Sequence, residues 1–109
     1  MRLPSSSILK PLGAAALVVA AWPAAAQDPA ALRQQALAAT CANCHGTQGR
    51  AVEGAAVPGL AGMPAAYLVA QMTAFKAGTR PATVMHQLAK GYSDAQVEQI
   101  AAHFAAQKK

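Results

Sequence analysis

A chain of 109 residues, 54% apolar and 12% charged, can build one small folded domain but not several. Disordered chains combine low hydrophobicity with high charge, and this composition is the reverse. The formal net charge is +5, and the +3 expected of the mature domain is too modest to point to nucleic acid.

In chain order, the first feature is an export signal. Arg2 and Lys10 form a basic start, and Leu12–Trp22 is an uncharged apolar run. The run is long enough for a signal core and short for a membrane span. Pro23 breaks the run, and Ala24-Ala25-Ala26 supplies the small residues of a cleavage site. We expect residues 1–26 to be removed and residues 27–109 to form the mature domain in the periplasm. An uncleaved anchor is the alternative. Cleavage takes away Arg2 and Lys10 and leaves a domain of formal charge +3, with no membrane span.

Asp28-Pro29 reads as a helix cap followed by proline at the first helical position. The helix is expected to run through Leu32, Ala36 and Ala39 into a cysteine pair. Residues 46–62 hold five glycines and Pro58 and read as a loop. Pro64 opens a second helix carrying Leu68, Met72 and Phe75, which stops at Gly78. Ser93 and Gln96 form a capping box for a last helix whose apolar face is Val97, Ile100, Ala101 and Phe104. β-branched residues are sparse and never alternate, so no strand is expected. The predicted class is all-α, with three main helices.

Twenty-two alanines follow Gln27, and each buries little area. A small domain so built completes its interior with a disulfide, a metal or a bulky cofactor. The two cysteines lie in Cys41-Ala42-Asn43-Cys44-His45. A C-x-x-C-H run is the attachment signature of c-type haem. Two residues between the thiols let each sulfur reach one vinyl group of a single porphyrin. The adjacent His45 then ligates the iron through its imidazole. A thioredoxin-like site would need a βαβ context. A zinc site would need further ligands, and His86 and His103 stand much too far apart in sequence for the usual histidine pair. A small disulfide loop is the third alternative.

The sixth iron position decides the chemistry, because a second protein ligand makes an electron-transfer site. Met63, Met72, Met85, His86 and His103 are the candidates. Met72 falls on the apolar stripe of the second helix and reads as packing. Met63 follows His45 closely in sequence, in the loop just before Pro64. Met85 lies much further along, between Pro81 and Gly91, in a segment that can pass over the opposite haem face, and is the expected ligand. His86 reads as a solvated surface side chain, and His103 as a half-exposed packing residue beside Phe104.

The sequence resembles class I cytochromes c, above all the haem domains of cytochrome c4 and the cytochrome subunit of flavocytochrome c sulfide dehydrogenase. The resemblance rests on Cys41–Gly46, Pro58-Gly59-Leu60-Ala61-Gly62, Tyr67-Leu68, Phe75–Arg80, Ala82–Met85, Ala89–Asp94 and Ile100–Phe104. It implies a class I fold around one covalently bound haem c, attached to Cys41 and Cys44 with His45 and Met85 as axial ligands. It also implies that the Pro58 carbonyl turns toward His45. Two departures stand out: His103 replaces a usual aromatic residue, and only one C-x-x-C-H is present.

A haem with two protein ligands has no free site for substrate, so the expected role is single-electron transfer rather than catalysis. Methionine ligation raises the potential. The expected partners are redox proteins. The chain would be the subunit that takes electrons from a flavoprotein sulfide dehydrogenase, or a diffusible shuttle to a terminal oxidase. A haem sensor or peroxidase would require Met85 to leave the iron. Lys76, Arg80 and Lys90 surround Met85 in sequence and suggest a weakly positive docking rim. Nothing in the sequence fixes the oligomeric state.

Overall fold

The computed structural model describes residues 26–109. The export signal, except Ala26, lies outside the described residues. Five α-helices follow in order: α1 (Pro29–Ala39), α2 (Ala42–His45), α3 (Ala65–Ala77), α4 (Met85–Lys90) and α5 (Asp94–Ala105). A single 3-10 turn, Thr47–Gly49, follows α2. No strand occurs among the described residues.

The Asp28 carboxylate accepts from the Ala30 amide at 3.1 Å, with Pro29 next to it in the first turn, as the sequence predicts. The predicted continuation into the cysteines is interrupted at Thr40. The Thr40 hydroxyl donates back to the Leu37 carbonyl at 2.7 Å and closes the helix. The chain then restarts as the one-turn α2, which carries Cys44 and His45.

Pro64 caps α3, and Gly78 ends it in the left-handed conformation at φ 75°. The Ser93/Gln96 capping box forms as expected, with bonds of 2.8 and 3.2 Å. The fourth helix, α4, is additional to the three main helices predicted.

Helix α5 is the centre of the fold and packs on both α1 and α3, while α4 packs on α3. The central cluster is Ala38, Leu68, Ile100, Ala101 and Phe104, with Phe104 the largest fully buried side chain. Val97 and Ala89 are also buried. Half of the buried apolar residues are alanines, so few large side chains hold the interior. Polar bonds add long-range ties: the Gln34 amide donates to the Gln99 carbonyl at 3.0 Å, joining α1 to α5.

Residues 46–62 are mostly loop, and their path is set by close backbone approach. Gly49 sits at φ 77°, and its carbonyl accepts from Leu60 at 2.7 Å and Ala61 at 3.1 Å. The Gly62 amide donates to Phe104 at 2.8 Å. The loop is thereby folded back onto α5 and brings Pro58 towards α2.

Candidate functional site

The site begins with the turn that carries the cysteines. Cys41 and Cys44 are both free thiols. Cys44 is exposed and Cys41 half-buried. Burial pushes the Cys41 thiol above its ordinary pKa, and Cys44 adds to the rise. The pair has not closed into a disulfide, and both sulfurs are available for bonding to another group.

His45 is the one polar residue buried in the core among the described residues. Its Nδ1 lies 2.7 Å from the Pro58 carbonyl oxygen. A carbonyl can only accept, so Nδ1 carries the proton and the Nε2 lone pair is left for a metal. The neutral, oriented imidazole is the form that ligates iron. Four of the five expected site residues, Cys41, Cys44, His45 and Pro58, therefore meet around one turn.

Met85 is the fifth and comes from another part of the chain. It is the first residue of α4 and is half-buried. Val84 and Leu88, 53% and 50% exposed, share a helix face next to it. Val52 and Tyr67 are also largely exposed apolar residues. Two thiols, one exposed and one half-buried, a metal-ready imidazole, a thioether and apolar side chains left out of the core are the kinds of group that a haem requires. The residues present fit that group. Among the described residues no group of three His, Cys, Asp or Glu side chains converges.

The other candidate ligands are placed elsewhere. Met63 packs against the central cluster. Met72 is half-buried outside that cluster. His103 packs edge-on to Phe104 with ring centroids 5.2 Å apart, as expected. His86 differs from expectation: it is half-buried, and its Nδ1 is buried without a hydrogen-bond partner among the described residues. It lies in the first turn of α4, the helix that packs on α3.

The expected docking rim is also changed. Lys76 donates to the Asp94 carboxylate at 2.9 Å and to the Tyr92 carbonyl at 2.7 Å. Arg80 stacks on the Phe75 ring at 4.6 Å and donates to the Gln71 side chain. Both serve the α3 end of the fold. Lys90, at the last position of α4, is exposed.

Comparison with known proteins agrees with this geometry. Residues 30–107 match the cytochrome c family. The chain is 40% identical over 102 residues to cytochrome c4 of Pseudomonas aeruginosa, covering 94% of this chain and 47% of that one. It is 36% identical over 72 residues to the cytochrome subunit of sulfide dehydrogenase of Chlorobaculum tepidum, covering 66% and 64%. It is 44% identical over 68 residues to a thiosulfate dehydrogenase electron acceptor of Stutzerimonas stutzeri, covering 60% and 31%. The chain spans less than two thirds of the length of each of these relatives. A solved cytochrome c4 of Acidithiobacillus ferrooxidans superposes with a TM-score of 0.64 at 30% identity, over 73% of this chain and 51% of that one.

Proposed function

The chain belongs to the cytochrome c family and has the class I fold, and from that premise we propose how its residues carry an electron and for whom. Family membership makes it an electron-transfer protein with covalent haem c, and a carrier or accessory subunit rather than an enzyme. The single haem supplies one reversible electron at its iron. Cys41 and Cys44 would hold it by thioether bonds, and His45 and Met85 would be its protein ligands to iron. Pro58 fixes the His45 ring through its carbonyl, so the ligand does not reorient as the charge changes. Met85 would take a coordination site that water and small ligands could otherwise enter. Val84 and Leu88 keep the surroundings apolar, which favours the less charged, reduced state.

The observation that carries this reading is the 2.7 Å contact between His45 Nδ1 and the Pro58 carbonyl, next to two free thiols. Residues 1–26 direct export to the periplasm and are cleaved, leaving residues 27–109 as the working domain. The donor is a flavoprotein sulfide dehydrogenase, with this chain as its cytochrome subunit or partner. The similarity to the Chlorobaculum tepidum cytochrome subunit supports that choice. A shuttle serving another sulfur-oxidising dehydrogenase is the second reading, supported by the similarity to the thiosulfate dehydrogenase electron acceptor.

Denaturing electrophoresis with haem-peroxidase staining tests the attachment. A stained band, with an intact mass of residues 27–109 plus one haem, supports the cleavage and the attachment. Haem lost to acid–acetone extraction refutes the covalent link. Affinity capture from periplasmic extract tests the donor: a flavoprotein co-purifying in a one-to-one ratio supports the subunit.

A further inference from the structure

Tyr92 joins three helices with three different groups. Its amide donates to the Ala89 carbonyl of α4 at 3.3 Å. Its carbonyl accepts from Lys76 of α3 at 2.7 Å, and the same ammonium is held by Asp94 at 2.9 Å. Its hydroxyl lies 2.7 Å from Thr40 Oγ1, at the end of α1 and 52 residues away in sequence. The ring packs against the central cluster, as Cys41 does.

The direction of the hydroxyl bond follows from counting protons. Thr40 has one, and the Leu37 carbonyl at 2.7 Å takes it. Tyr92 is therefore the donor to Thr40. Cys41 Sγ stands 3.9 Å from the same Thr40 oxygen. A phenol at the end of α4 is thus bonded to the residue that immediately precedes the first attachment cysteine.

Resting on the ligand assignment above, we infer that Tyr92 is a positioning residue for Met85. Met85 opens α4, and α4 has only six residues. So short a helix does not hold its place by its own stability. Its far end is anchored through Tyr92 to the α3 terminus by Lys76, and to the cysteine-bearing turn by Thr40. The hydroxyl bond thereby ties the segment that offers the thioether to the segment that carries the thiols. Losing it lets α4 move away from that turn and weakens the hold of Met85 on the iron, while the ring of a phenylalanine still fills its place in the core.

The test is displacement of Met85 by cyanide in the ferric holoprotein, measured as apparent cyanide affinity with the fold intact. Tyr92→Phe and Thr40→Val should each bind cyanide roughly 2- to 10-fold more tightly, the equilibrium effect of one neutral hydrogen bond. The double variant should do no more than Thr40→Val alone, because that change already removes the bond to Tyr92 along with the one to Leu37. Lys76→Met should act in the same direction through the Tyr92 carbonyl. A merely structural bond would lower the unfolding midpoint and leave cyanide affinity unchanged, and that result overturns the inference. A wild type that takes cyanide as readily as Met85→Ala overturns the ligand assignment and the inference together. A wild type that resists cyanide, with both single variants resisting equally, overturns the inference alone.

Discussion

Pro58 reaches back across 13 residues and orients the ring of His45 through its carbonyl oxygen. The contact sets the tautomer of the imidazole, and in the proposed role it strengthens His45 as an electron donor to iron. A stronger donor favours ferric iron. Pro58→Ala frees the backbone dihedral that proline fixes and loosens the contact. The reduction potential should then rise. A tenfold change in relative stability of the two oxidation states corresponds to about 59 mV for one electron. Redox titration of the purified holoprotein gives the sign, and a fall in potential would contradict the proposed role of Pro58.

The three methionines among the described residues separate by substitution. Met85→Ala should remove the weak long-wavelength absorption band of a thioether-bound ferric haem and let carbon monoxide bind the ferrous form. Met63→Ala and Met72→Ala should leave the band in place. Met72 is half-buried, so its loss should cost about 2 kcal/mol, the lower end of the range for methionine truncation. Visible spectra and urea titrations of the three variants distinguish ligand from packing. A band that disappears with Met63 and survives without Met85 would reassign the ligand.

Much of the site is local in sequence, and for that reason it is legible. Cys41, Cys44 and His45 need only their spacing. The helix ends at Asp28, Gly78 and Ser93 are written in capping chemistry. The features that sequence reasoning misses depend on distant partners. Helix α4 has only six residues, too few for a periodic pattern to show. The break at Thr40 comes from a hydroxyl that bonds its own helix and a tyrosine 52 residues away. Lys76 and Arg80 look like free charges until Asp94, Tyr92, Phe75 and Gln71 are placed around them. His86 looks solvated, yet its Nδ1 is buried in the folded chain.

Gly46 should not tolerate a side chain. It sits at φ 85°, and an added Cβ would stand 2.0 Å from the Arg50 carbonyl oxygen, a backbone atom. Gly46→Ala should destabilise the holoprotein by on the order of 2–4 kcal/mol, from the left-handed conformation and the clash together. Gly54 has a similar φ of 76° with nothing within 4 Å of the added carbon. Gly54→Ala should cost only the conformational part, about 1–2 kcal/mol. Urea midpoints of the two variants test the difference, and equal losses would contradict the close approach at Gly46.

Asp94 gives the fold a dependence on acid. The Lys76 ammonium beside it, through a hydrogen bond and its charge, holds the Asp94 carboxyl below the usual aspartate range. A depressed folded pKa means stability that is present above the unfolded value, about 3.9, and lost as pH falls through the folded one. Asp94→Asn should therefore be less stable than the wild type at neutral pH. The two should converge once the pH is below the folded pKa. Asp94 is fully exposed, so salt should shrink the difference. Denaturant midpoints across pH 2–7 test it; a difference unchanged at the acid end would remove the Lys76 pairing as the cause.

Docking charge now falls chiefly on Lys90 among the three cations that surround Met85 in sequence. Lys76 and Arg80 are engaged within the fold, so reversing either changes structure as well as surface charge. Lys90 ends the helix that Met85 begins and is exposed. If an acidic donor surface docks beside α4, Lys90→Glu should slow reduction by that donor without altering the visible spectrum. Exposed rim charges act mainly on association rate and are screened over about 8–10 Å at moderate salt. The wild-type rate should thus fall as ionic strength rises, and the variant's rate should fall less. Stopped-flow reduction across a salt series measures both slopes. A rate indifferent to salt and to Lys90→Glu would mean that the partner meets this chain through an apolar, permanent interface. That outcome would favour the dedicated subunit over the diffusing shuttle.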